Sequence, residues 1–118
     1  GALKPIVARL AEANKEWGDM TMKLGMKAMK NREEVGGAAV DYLMYSGYIT
    51  LGYYWALMAE KAQQAIDAGS SEVDFYNAKI KTATFYFQRI LPRIESHKQA
   101  MLAGVDSMMD LEEEHFAF

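Results

Sequence analysis

Apolar residues recur every three or four positions over most of the chain, which is the spacing of helices that bury one face. In the first segment, predicted to be helical over residues 3–30, the charged residues fall largely on the other face. The apolar stripe consists of Leu3, Ile6, Val7, Leu10, Ala13, Trp17, Met20, Leu24 and Ala28. Few runs alternate at the two-residue period of a strand, so the pattern predicts an all-α protein.

The second predicted helix, over about residues 34–68, contains 18 consecutive residues without a charge, from Tyr42 to Ala59. Because this segment is apolar nearly all round, we expect it to be the most buried helix. Its tyrosine hydroxyls then need partners, from other helices or from a second protein surface. The stretch has the length of a membrane span, but its tyrosines are spread along it, which favours a central bundle helix. Gly69 follows as a candidate C-terminal cap.

The third segment begins near Ser71 and Asp74, which have the spacing of a capping box. Its apolar stripe keeps helical register as far as Met108, although Pro92 removes a backbone hydrogen bond and crowds the preceding turn. We therefore predict a kink or short break, with helices over about 72–91 and 93–109. Similar lengths and short connections predict an up-and-down antiparallel bundle of three long helices, in which a complete break at Pro92 makes a fourth.

Length and composition support a single helical domain over residues 1–118. A net charge of −3 offers no counter-charge for phosphates, so nucleic acid is not an expected partner. The chain has no cysteine, which excludes disulfides and thiolate metal sites. The lack of a basic, apolar leader favours a cytoplasmic location, and Gly1 in place of Met indicates a piece excised from a longer protein.

No residue is assigned a catalytic, cofactor-binding or metal-binding role. Glu112 and His115 have the Glu-x-x-His spacing of di-iron bundles, but such a site needs two of these pairs and two further glutamates, so a solvated tail is favoured. Gly36-Gly37 lacks the preceding strand and the glycine pattern of a nucleotide loop. We interpret these glycines, with Gly47 and Gly52, as places of close helix approach or of a loose first turn.

Some apolar residues lie off the predicted core stripes and indicate a partner surface. They are Phe75, Phe85, Tyr86, Met22 and Met26. Arg89 and Arg93 flank Pro92 and favour planar, bidentate recognition of a carboxylate or a phosphate, in an interdomain or a surface salt bridge. The candidate interdomain contacts are therefore Arg89, Arg93, Phe85 and Tyr86.

Part of this pattern resembles a known family, the C-terminal helical extension of some bacterial acyl-CoA dehydrogenases. The strongest likeness is in residues 85–93, Phe-Tyr-Phe-Gln-Arg-Ile-Leu-Pro-Arg. The others are Asp41-Tyr42-Leu43, Gly47, Gly52, Gly104 and the ending over 110–118. The resemblance implies a whole enzyme that uses FAD to oxidise an acyl-CoA thioester, with the flavin, CoA and catalytic-base residues upstream of this region.

The expected function is accordingly that of an accessory interaction domain, with no chemistry in this chain. Its expected partners are the upstream dehydrogenase domains of the same chain, within a homo-oligomer. Two other functions stay open at this point. One is a stand-alone helical oligomerisation or adaptor module, and the other is a bundle attached to a membrane surface.

Overall fold

A computed structural model describes residues 1–30 and 32–103, and this part of the chain is helical without any strand. The helices are α1 (Leu3–Lys30), α2 (Arg32–Asp67), α3 (Val73–Phe85) and α4 (Ile94–Ala103). A π-helical turn (Tyr86–Ile90) and a 3₁₀ turn (Leu91–Arg93) join α3 to α4. The all-α prediction is confirmed, and the third long segment is assembled from these pieces. The end of the last predicted helix, residues 104–109, lies outside the described residues.

The helices run in alternating directions with α2 between its two neighbours. Thr21 contacts Tyr42 and Glu16 contacts Tyr45, so positions rise along α1 as they fall along α2. On the other side, His97 contacts Asp41 while Tyr86 contacts Tyr48, which makes α2 antiparallel to the third segment. The up-and-down arrangement follows from these contacts.

The buried side of α1 matches its predicted stripe with one exception. Ile6, Ala13 and Met20 are buried, and four of the other stripe residues pack partly buried against them. Val7 was predicted to join the stripe, but it is exposed. Since each residue turns an α-helix by about 100°, the burial of Ile6 carries its neighbour Val7 away from the core.

Small side chains bring α2 close to the helices beside it. Its buried side carries two large residues, Tyr45 and Ile49, among the small residues Ala38, Gly52, Ala56, Ala59 and Ala62. The prediction that α2 is the most buried helix is wrong in one respect. Many of its large apolar residues are exposed, because α1 and the third segment cover only part of its circumference within the described residues.

The turn after α2 confirms the cap predicted at Gly69. This residue has φ +85°, in the left-handed region that glycine adopts without strain. The Ser70 N–H donates to the Ala65 carbonyl and the Gly69 N–H donates to the Ile66 carbonyl, the two bonds of a Schellman motif. These bonds satisfy carbonyls that the helix end would otherwise leave without partners.

The predicted capping box before α3 is wrong. Glu72 is the residue at the N-cap, and its side chain makes no capping hydrogen bond. The hydroxyl of Ser70 instead accepts from the Glu72 N–H at 3.1 Å, one step earlier in the turn. Asp74 still lies in the first turn of α3, where its charge favours the helix dipole.

The break at Pro92 takes the form of two irregular turns. The π-helical turn closes with a bond from the Leu91 N–H to the Tyr86 carbonyl, five residues back. Pro92 then begins a 3₁₀ turn, a position at which its missing N–H is not needed. Beyond the break, Leu91, Ile94 and Met101 are all buried, so the stripe resumes on the same core as predicted.

Candidate interaction surfaces

The described residues contain no group of three or more acidic, His or Cys side chains placed to hold a metal ion. Glu112 and His115, whose spacing was considered above, lie outside the described residues. Among the described helices, none combines the length and the hydropathy that a bilayer crossing requires. The geometry therefore has to be examined as packing and surface.

A polar cluster joins α1, α2 and α4. The hydroxyl of Tyr45, whose residue is fully buried, donates to Glu16 at 2.6 Å, and the Lys98 ammonium donates to the other Glu16 oxygen at 3.1 Å. Lys98 also lies 4.0 Å from Glu95. The tyrosine in the uncharged stretch thus finds its partner on another helix, which was one of the two alternatives. We call Glu16, Tyr45 and Lys98 the α1–α4 clasp.

The pKa shifts in this clasp follow its geometry. Burial alone raises the pKa of Glu16, but the hydrogen bonds from Tyr45 and Lys98 and the charge of Lys98 outweigh it, so the pKa is lowered. The hydrogen bond to Glu16, with its negative charge, raises the pKa of Lys98. Burial, together with the nearby carboxylate, raises the pKa of Tyr45 far above its usual range. The ionised carboxylate is the form that this arrangement stabilises.

A second cluster ties α2 to the third segment. His97 Nδ1 lies 3.0 Å from the Asp41 carboxylate, and its ring stacks on Tyr48 with the ring centroids 5.8 Å apart. The Tyr86 hydroxyl donates to the Tyr48 carbonyl. Burial and the neighbouring Tyr48 raise the pKa of Tyr86 to about 12. Both clusters hold helices together, and neither opens on a cavity that places a reactive group beside a substrate.

The predicted interdomain contacts divide between surface and core. Phe85, Arg89 and Arg93 follow one another at intervals of four residues and are exposed. No ion pair between described residues includes either arginine. We call these three residues the arginine edge. Phe75, Met22 and Met26 are exposed as predicted.

Tyr86 is the exception, because it is 6% exposed and its hydroxyl is already bonded to Tyr48. The prediction that it lies on a partner surface is wrong. The π-helical turn starts at this residue and adds one residue to the turn, so that Tyr86 and Phe87 both face the core. Their rings lie 3.5 Å from the position of a Cβ on Gly52, so the close approach predicted at Gly52 is an approach of aromatic rings.

An apolar surface that the sequence analysis did not predict lies along α2. Its members are on the side opposite Tyr45, Ile49 and Ala56. They are Val40, Met44, Gly47, Leu51, Tyr54 and Met58, all exposed. We call this set the outer face of α2. The signal was present in the sequence as a second stripe at helical spacing, hidden because the segment is apolar on every side.

Gly47 marks a depression in the outer face. A groove of about 240 Å³ is lined there by Leu43, Met44, Gly47, Tyr48 and Leu51. No described atom lies within 4 Å of the place where a Cβ on Gly47 would stand. The close helix approach predicted at Gly47 is therefore wrong for this chain, since α1, α3 and α4 all pack elsewhere.

Comparison with known proteins adds the identity of the fold. Residues 1–112 match the family model described as "Acetyl-CoA dehydrogenase C-terminal like", and the chain belongs to this family. The chain is also similar to the broad-specificity linear acyl-CoA dehydrogenase FadE5 of Mycobacterium tuberculosis, with 29% identity over 98% of the chain. It spans only 20% of the length of that relative. The resemblance drawn from the sequence is confirmed.

Proposed function

We propose that the chain is an accessory interaction domain of a FAD-dependent acyl-CoA dehydrogenase, where it packs against dehydrogenase domains of the same polypeptide. Family membership and the likeness to one-fifth of a dehydrogenase support this assignment. The observation that carries it is the arginine edge, an exposed aromatic ring beside two cations that pair with no described acid. Exposed aromatic and Arg residues are enriched where proteins bind one another.

The proposal places the flavin outside this chain. A flavin dinucleotide needs donors or cations for its diphosphate, and the described grooves do not supply them in sufficient space. The largest groove, about 630 Å³, is lined by Asn14, Trp17, Gly18, Thr21, Met22 and Tyr42, without a cation. The groove that includes Arg9 has about 240 Å³ and is otherwise mostly apolar. The residues described here do not fit the cofactor.

In the proposed division of labour, the upstream domains oxidise the acyl-CoA thioester at its α and β carbons and this chain contributes contacts. The family's chemistry removes the α-proton with a carboxylate while the flavin accepts the β-hydride. The acidic groups described here are engaged otherwise. Glu16 is bound by Tyr45 and Lys98, and Asp41 lies against His97.

The chemistry of the arginine edge indicates what it meets. Arg89 and Arg93 each present a planar fork of donors that matches a carboxylate, and Phe85 supplies apolar area next to them. A partner surface with acidic residues around an apolar depression complements this arrangement. A second copy of the same edge does not, because two-fold pairing would bring like charges together.

Binding between this chain and separately produced dehydrogenase domains of the same polypeptide tests the proposal. We expect saturable binding by isothermal titration calorimetry, weakened about 10- to 100-fold by Phe85→Ser, since burial of a Phe contributes ~1.5–3 kcal/mol. Phe75→Ser is the matched control, because Phe75 and Phe85 are 54% and 55% exposed on the same helix. Absence of binding, or equal effects of the two variants, would contradict the proposal.

The second candidate function is a stand-alone oligomerisation or adaptor module, which the outer face of α2 favours. The reading frame before Gly1 separates the two. A long upstream stretch with dehydrogenase motifs supports the accessory domain, and a nearby start codon supports the stand-alone module. This observation requires only the genomic sequence around the chain.

A further inference from the structure

We propose that the outer face of α2 binds a second copy of this chain, with the two α2 helices antiparallel about a two-fold axis near residue 49. The first support is the spacing of the face. Its six members, Val40, Met44, Gly47, Leu51, Tyr54 and Met58, follow one another at alternating intervals of four and three residues. This is the spacing of the seam between two packed helices, in which side chains of one helix enter the spaces of the other.

The face also complements itself when one copy is reversed. In antiparallel register every member finds an opposite member: Val40 meets Met58, Met44 meets Tyr54, and Gly47 meets Leu51. Each pair occurs twice because the axis relates the two copies, as an isologous contact requires. At the two central layers, the large Leu51 side chain of one copy faces the glycine of the other.

The depression at Gly47 has the shape that this pairing needs. Met44, Gly47, Tyr48 and Leu51 stand at positions i, i+3, i+4 and i+7, the four corners of a hole on a helix surface. A glycine inside a helix is less stable than alanine, and no described atom occupies the space of its missing Cβ. The packing within the described part of one copy gives no reason for a glycine at this position, whereas an entering leucine does.

Charge and area both agree with a second copy as the occupant. No charged residue lies between Tyr42 and Ala59, so reversed pairing brings no like charges together along the seam. With the flanking Leu43 and Leu57, the face leaves roughly 700 Å² open, near the ~800 Å² that each partner contributes to a standard interface. The open fraction reaches 71% at Val40.

Sedimentation equilibrium of the chain is the first test. We expect a concentration-dependent dimer, and Leu51→Glu should weaken dimerisation by at least about 100-fold because two charges enter the seam of each dimer. Leu51 is 52% exposed, so helical content by circular dichroism should stay unchanged. Phe75→Glu, equally exposed on α3, is the control that keeps the dimer.

Gly47→Ala supplies a readout with opposite signs. A methyl group in open space favours the helix, so the variant should melt at a higher temperature than the wild type when both are dilute and monomeric. The same methyl group fills part of the hole for Leu51 and should weaken the dimer about tenfold. A change that stabilised the fold without weakening the dimer would overturn the role given to Gly47.

Disulfide trapping tests the direction of pairing, and the cysteine-free chain makes it clean. Val40→Cys and Met58→Cys chains should cross-link with one another, whereas each variant alone should not. In the antiparallel pair, the two copies of residue 40 stand about 27 Å apart along the axis, from 18 residues at 1.5 Å each. Covalent dimers of either single variant would indicate parallel pairing and overturn the geometry.

The outcomes separate this inference from the proposed function. A wild-type chain that stays monomeric to about 1 mM overturns the inference. If Leu51→Glu then weakens binding to the dehydrogenase domains, those domains occupy the outer face and the proposed function stands. A dimer that forms while Phe85→Ser and Phe75→Ser bind the domains equally upholds the inference and contradicts the assignment of the arginine edge.

Discussion

Removing one hydroxyl from the α1–α4 clasp tests whether this polar cluster stabilises the fold. Tyr45→Phe keeps the buried ring and leaves no cavity, so the change isolates the 2.6 Å hydrogen bond to Glu16. A hydrogen bond to a charged group contributes ~1.5–3 kcal/mol, and we expect a loss of about 2 kcal/mol in the free energy of unfolding. For 118 residues this lowers Tm by roughly 8 °C.

The pH dependence of that loss distinguishes the charged bond from simple packing. Because the folded chain lowers the pKa of Glu16, the carboxylate's contribution is present above its unfolded value of 4.5 and is lost as the pH falls through the folded pKa. The raised pKa of Lys98 acts in the other direction. Its contribution is present below 10.5 and is lost as the pH rises through the folded pKa.

Urea unfolding at low protein concentration, at pH 7 and at pH 3, measures both effects. The difference between wild type and Tyr45→Phe should shrink at pH 3, where Glu16 is protonated and the bond becomes a neutral one. Tyr53→Phe is the control, since this exposed hydroxyl should matter by no more than about 0.5 kcal/mol. A loss below 0.5 kcal/mol at pH 7, or an undiminished loss at pH 3, would refute the reasoning.

Three further predictions concern the packing and the turns. Leu91→Ala, at a fully buried site, should cost ~2–5 kcal/mol in urea unfolding, and an equal loss in the exposed control Leu102→Ala would contradict this. Gly69→Ala should cost ~1–2 kcal/mol by thermal melting because φ is +85°, and an unchanged Tm would speak against the motif. Ser46→Ala should be neutral or stabilising by up to ~1 kcal/mol, since the buried Ser46 hydroxyl has no described partner; a clear loss would reveal one.

Local chemistry explains what the sequence could predict. The ends of α1 and α2 follow from where the apolar stripe stops, and the turn at Gly69 follows from the one residue type that adopts its backbone freely. The break at Pro92 was predictable because an imino nitrogen cannot continue the helix. These features depend on neighbours within a few positions, and the pattern of one segment contains them.

Long-range contacts account for most of what was missed. Glu16 and Lys98 are 82 positions apart, and nothing in either segment marks one as the partner of the other. The exposure of the outer face also depends on what else packs against α2. An apolar stripe that faces a core and one that faces an absent partner have the same composition, so the sequence alone could not distinguish Leu51 from Ile49.

The π-helical turn makes the third segment intolerant of small changes in length. It inserts one residue more than an α-helix would use between α3 and the buried Leu91. Deletion of a single residue here would restore regular winding but rotate everything beyond it by about 100°. Ile94 and Met101 would then point into water, and His97 would leave Asp41. Length variation among relatives should therefore concentrate in the turn near Gly69, where an added residue changes the path of the backbone without changing the phase of a helix.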